Sequence, residues 1–203
     1  AVLLRVGGTL SVAGYAIISN IAYVWKGICN GIAQAMQPLV SVNCGAGNLA
    51  RMQNARRLSQ LAAAVFSIAA TVLCLFFPEP IIAFFAGDDR QLIAQSIPAL
   101  QLYFASLLFT GANTMYLYYF QSSEKSGYAT AICTARGIVL LVLGLMLLTP
   151  LLGVNGVWLT VLFAEGGTLL LSLGLSWAAH RKPASQKGLD CPGMNIGPKE
   201  LGN

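Results

Sequence analysis

A handful of side chains in this sequence are of types that can carry a proton, hold an ion or hydrogen-bond a passing solute, and they lie inside apolar stretches. Lys26, Gln34, Gln37 and Asn43 follow one another along one long apolar segment, Asn113 lies in a second and Glu165 in a third. Charges and amides are costly in hydrocarbon unless they are paired or face a wet cavity. A lysine at mid-span costs at least ~2.5 kcal/mol on insertion scales. These six residues are therefore expected to line a substrate or cation pathway. Glu165 is the only acid inside a span. There it protonates or pairs rather than standing charged. One role open to it is that of a cavity-facing carrier of a proton or cation; the other is that of a structural partner for Lys26 or Arg136. Hydrogen bonding to substrate and bonding between helices are both open to Gln34, Gln37 and Asn43. Pro38 deprives the Gln34 carbonyl of its helical donor and is expected to kink the helix there.

The elements that must position these residues are set by composition. Hydrophobic residues make up 56% of the 203 residues, charged residues only 9%, and the mean hydropathy is +0.69. Soluble domains have about 25% charged residues, so the chain belongs with polytopic membrane proteins. The net charge of +5 does not point to nucleic acid, because the basic residues are scattered between apolar runs without a basic-aromatic patch. An enzyme needs a paired nucleophile and base, or metal ligands. Here His180 is the only histidine, and neither G-x-S-x-G nor H-E-x-x-H occurs. Neither cofactor nor metal is expected. Asp88 and Asp89 fall far short of a calcium shell. Cys29, Cys44, Cys74 and Cys133 read as small apolar fillers, and Cys191 as an exposed thiol in a polar tail.

Five spans are expected, at about 12–42, 58–77, 97–120, 128–148 and 157–178. Residues 1–7 read as the tail of a preceding helix, so the chain is expected to be a fragment. Gly45-Ala46-Gly47-Asn48 ends the first span, and 48–57 reads as a polar connection. Pro78-Glu79-Pro80 breaks the second span, and Ile81–Phe85 reads as an interfacial helical turn. Asp88 or Asp89 is placed to cap the next helix. Tyr116, Tyr118 and Tyr119 read as an interfacial belt, and Pro150 as the end of the fourth span. The return through Gly153–Trp158 is so short that the last two helices must be antiparallel neighbours. Residues 1–180 thus form a transmembrane bundle, and 181–203, polar and rich in Gly and Pro, a disordered tail. Arg51, Arg56, Arg57, Lys125, Arg136, Arg181, Lys182, Lys187 and Lys199 fall on one side of the membrane, against Arg5 and Arg90 on the other. The positive-inside rule makes the richer face, with the tail, cytoplasmic.

Gln34-Ala35-Met36-Gln37-Pro38-Leu39-Val40-Ser41, followed by Asn43, Gly45-Ala46-Gly47-Asn48 and Arg51, resembles the eighth helix of the multidrug and toxic compound extrusion (MATE) transporters. Gly14–Asn20, Tyr119-Phe120-Gln121 with Glu124-Lys125 and Arg136, and Gly153–Trp158 with Ala164-Glu165 extend the resemblance over roughly residues 1–180. It implies part of the carboxy-terminal lobe of a twelve-helix antiporter in a plasma membrane, the bacterial inner membrane being the expected one. The implied partners are the bilayer, an amino-terminal lobe, and small organic cations or drugs that leave in exchange for sodium or protons. A lobe by itself is not expected to transport, since alternating access needs two bundles rocking against each other. The alternative is a membrane scaffold subunit, or an inactive fragment. Lys26 has no counterpart in that pattern. Lys26 and Glu165, the two deep charges, are expected on one inward-facing wall. The bland alternative has Lys26 snorkelling to an interface and Glu165 bonded to backbone or to Thr168.

Overall fold

The computed structural model describes residues 2–87 and 89–181. They form an all-helical bundle of α1 (Val2–Gly45), α2 (Leu49–Phe76), α3 (Pro78–Ala86), α4 (Arg90–Ser122), α5 (Ser126–Thr134), α6 (Leu140–Leu152) and α7 (Val154–Arg181), with a π-helical turn, Ala135–Val139, joining α5 to α6. Among the described residues, five helical stretches are long and apolar enough to cross a membrane: Gly7–Gly45, Leu49–Phe76, Arg90–Ser122, Ser126–Leu152 and Val154–Ala179.

The buried positions of α1 explain how it packs. Ser11, Gly14, Ile18, Ala22, Trp25, Cys29, Ala33, Met36, Val40 and Cys44 recur every three or four residues and form one stripe. The stripe lies chiefly on α4, where Ile18, Ala22, Trp25 and Cys29 join Ala99, Leu100, Tyr103, Phe104 and Leu107 in the main core. Helix α4 is the hub, touching α1, α2, α3, α5 and α7. Its buried residues, from Ser96 to Phe120, include the polar Thr110, Asn113 and Thr114.

Helix α2 shows the membrane pattern of small residues inside and large apolar ones outside. Ala63, Ser67 and Thr71 are buried, whereas Leu58, Leu61, Val65, Ile68 and Phe76 are exposed. Thr71 donates from Oγ1 to the Phe104 carbonyl at 3.1 Å. A side chain at Gly111 would meet Ser67 Oγ at 2.7 Å, so glycine lets α4 approach α2 closely.

Several boundaries differ from expectation. The piece before the first span is helical as expected and is set off by Gly8, whose φ of 69° and ψ of −172° interrupt α1. The polar connection at 48–57 is not a loop. Asn48 accepts from the Arg51 N–H at 3.1 Å and caps α2, so its arginines stand on the first turns of that helix. Arg56 is buried there, its guanidinium carbon 5.2 Å from the ring centroids of both Tyr116 and Tyr119. Two of the three tyrosines read as an interfacial belt therefore hold an arginine inside the bundle. Asp89 caps α4 through the Leu92 N–H at 3.0 Å, while Asp88 lies outside the described residues. Pro150 sits inside α6, which Gly153 ends with a φ of 57°. Arg181 still belongs to α7, and the rest of the expected tail, 182–203, lies outside the described residues.

Candidate functional site

The fourth span, expected at about 128–148, contains the π turn near its centre, and Arg136 sits in that turn. A π turn inserts an extra residue into the helical ladder and re-aims the side chains around it. Here it directs Arg136 at α7. Arg136 donates to Glu165 Oε1 from Nε at 2.8 Å and from Nη2 at 2.8 Å. Asn113 of α4 donates from Nδ2 to Glu165 Oε2 at 2.9 Å and to the Glu165 backbone carbonyl at 2.8 Å. Glu165 is thus buried but fully engaged, with a cation on one oxygen and an amide on the other. Asn113, wholly buried, leaves its Oδ1 without a partner.

This network forms one wall of a cavity of about 460 Å³. Lys26 and Asn30 of α1, Tyr103 and Thr114 of α4, and Val161 and Ala164 of α7 line it with Arg136 and Glu165. Lys26 donates from Nζ to the Tyr103 hydroxyl at 3.3 Å. Lys26 and Glu165 therefore line one cavity, but each has its own partner. Of the two partners considered for Glu165, the one it takes is Arg136. Thr168 bonds its own helix instead, donating to the Ala164 carbonyl at 2.7 Å. Cys133, expected as an apolar filler, is exposed and lines the cavity; Cys29 and Cys74 are buried and free, and Cys191 lies outside the described residues.

Gln34, Gln37 and Asn43 do not line this cavity. Gln34 and Pro38 are exposed, and Gln37 and Asn43 half-buried. Asn43 bonds back to its own helix, donating to the Leu39 carbonyl at 2.7 Å. The helix continues through Pro38, and Gly8 is the residue at which its backbone leaves helical geometry. Yet Lys26, Asn30, Gln34, Gln37 and Ser41 stand three or four residues apart along α1, and none of them is buried. At 100° per residue they fall within one sector of the helix surface. A polar stripe thus runs from the cavity along the outside of a membrane helix. Asn30, Tyr15 and Tyr103 were not singled out from sequence. The four-residue spacing of Lys26, Asn30 and Gln34 was the available signal for Asn30.

The family model MatE matches residues 1–154. The chain belongs to the MatE family. A MatE protein is a multi-pass membrane transporter relative and not an enzyme, which agrees with the five apolar helices. Solved structures with the same fold include a multidrug resistance MATE family transporter of the MOP superfamily in its outward-facing conformation, with a TM-score of 0.79 and 19% identity, covering 89% of this chain and 40% of that one. The inward-facing conformation of such a transporter matches with a TM-score of 0.78 at 19% identity, over 89% of this chain and 41% of that one. A MOP superfamily transporter from Pyrococcus furiosus, described by a reverse polarity of its binding pocket, matches at 0.81 and 19%, over 90% and 42%. This MatE chain therefore spans about two fifths of the length of the solved transporters it matches. Among curated proteins no match was found.

Proposed function

We propose that this chain is the greater part of the carboxy-terminal lobe of a secondary active efflux transporter. Such a transporter exports drug-like organic molecules in exchange for sodium or protons. The observation that carries this reading is the stripe from Lys26 to Ser41. None of these side chains is buried by the described residues, and hydrocarbon would reject them, so they need a water-filled cleft or a second bundle. A cleft between two lobes supplies both. The similar match to outward-facing and inward-facing transporters supports a lobe that rocks as a unit. Organic cations are the substrate class implied by the resemblance in sequence. Glu165 acts in this reading as the anchor of Arg136, because both its oxygens are engaged.

The basic residues favour a lobe with Arg51, Arg57 and Lys125 in the cytoplasm of a bacterial cell, and with it the carboxy terminus. Reporter fusions in the loops at Gly47 and Gly87 should then give opposite sidedness. The decisive experiment is transport by the full-length protein in proteoliposomes. Efflux of a fluorescent drug should follow an imposed sodium or proton gradient. Its absence under both gradients, with the protein inserted and folded, would refute the reading.

A further inference from the structure

The charges around the cavity do not balance. Its charged lining residues are Lys26, Arg136 and Glu165. Arg136 and Glu165 cancel each other within an ion pair of 2.8 Å. What remains is the Lys26 ammonium, whose hydrogen-bond partner, the Tyr103 hydroxyl, is neutral and 3.3 Å away. No carboxylate forms a salt bridge with Lys26 among the described residues. An organic cation entering here would meet two like charges and a carboxylate already paired with Arg136, both of its oxygens accepting hydrogen bonds. Glu165 Oε1 already accepts two N–H groups of Arg136, and Oε2 the amide of Asn113.

We propose that this cavity takes an amphipathic organic anion from solution. Lys26 receives its carboxylate or sulfonate, with the Asn30 amide placed one helical turn further along the same wall. The apolar body lies on Leu117, Leu141 and Val161 and against the ring of Tyr15. A cavity of about 460 Å³ lies within the usual range for small-molecule sites, roughly 300–1,000 Å³. The Arg136–Glu165–Asn113 network is electrically neutral, so among the described residues Lys26 is the charge that sets the sign of the ligand. The inference rests on reading the cavity as the transporter's substrate site, and replaces the organic cation by an organic anion there.

The test compares two probes with one fluorophore and opposite charge, dansyl-glycine (anion) and dansylcadaverine (cation), bound to the full-length protein in neutral-lipid nanodiscs. Dansyl-glycine should bind more tightly. Lys26→Gln should weaken it about tenfold, the effect of losing one charge-assisted hydrogen bond. Lys26→Arg should retain most of the affinity, and Lys26→Glu should reverse the preference. Size-exclusion profiles and thermal melts of the variants confirm that each is folded. Tighter binding of dansylcadaverine to the unmodified protein would overturn the proposal, as would unchanged dansyl-glycine affinity in folded Lys26→Gln. Loss of dansyl-glycine binding when phosphatidylglycerol is added would overturn a soluble anion in favour of a lipid headgroup. The transporter reading fails separately: a protein that binds dansyl-glycine through Lys26 but moves no solute under either gradient retains the anion site and loses the efflux role.

Discussion

Arg136 and Glu165 meet at 2.8 Å across the interface between a π-helical turn and α7, and Asn113 closes the far side of the carboxylate. The pair binds the fourth and fifth membrane spans to each other and, through Asn113, to the central helix. Glu165 is 93% shielded from solvent by the bundle, being 7% exposed, so neither partner can be removed without leaving the other unpaired in a poor medium.

Removing one partner should therefore do more harm than removing both. Arg136→Met and Glu165→Gln are each expected to destabilise the protein, Arg136→Met by about 3 kcal/mol because it leaves a buried carboxylate without its cation. The double variant should recover a substantial part of that loss. Thermal unfolding in detergent of the two single variants and the double one measures the coupling. Strictly additive losses would mean that the contact contributes nothing.

Lys26 and Glu165 should behave oppositely. They face the same cavity but bond to Tyr103 and to Arg136 with Asn113, respectively. In a double-mutant cycle with Lys26→Met and Glu165→Gln, stabilities should add to within about 0.5 kcal/mol. A recovery larger than that in the double variant would show a direct pairing that the structure does not contain.

Gly156 should tolerate no side chain. A Cβ there would collide with the backbone carbonyl of Leu148 and stand 3.0 Å from Thr149 Cα, and backbone cannot move aside as a side chain can. Gly156→Ala is expected to lower stability by roughly 2 kcal/mol, in the range of overpacked sites. Gly27→Ala is the control, since no atom lies within 4 Å of the added methyl group. Equal melting temperatures for the two variants would contradict the close α6–α7 approach.

Pro38 should matter to the transport cycle more than to insertion. It lies on the exposed side of α1, in the stretch that carries the polar stripe, and it leaves the Gln34 carbonyl without a helical donor. In the full-length transporter, Pro38→Ala is expected to keep its expression level and lose drug efflux, measured as resistance of the host cells. Unchanged resistance would exclude a hinge at this position.

The number of spans, their order and the antiparallel pairing of the last two were legible in the residues. They depend on local quantities: runs of apolar side chains long enough for hydrocarbon, and glycine and proline between them. The stretch around Gln34 to Asn48 was also enough to expose the family. Boundaries were less legible where a polar segment stayed helical. Residues 48–57 look like a loop by polarity, but the Asn48 cap starts a helix there and Tyr116 and Tyr119 hold Arg56 against the bundle.

The sequence by itself also determined which charges had to be satisfied inside the membrane, because desolvation applies to Lys26, Arg136 and Glu165 wherever the helices go. Which charge answers which was decided only by tertiary structure. Glu165 lies 139 positions after Lys26 and 29 after Arg136 in the chain, and no periodicity relates them. A π turn, invisible in composition, rotates Arg136 onto α7 and takes up the carboxylate. Among the described residues Lys26 is left to the neutral Tyr103 hydroxyl at 3.3 Å.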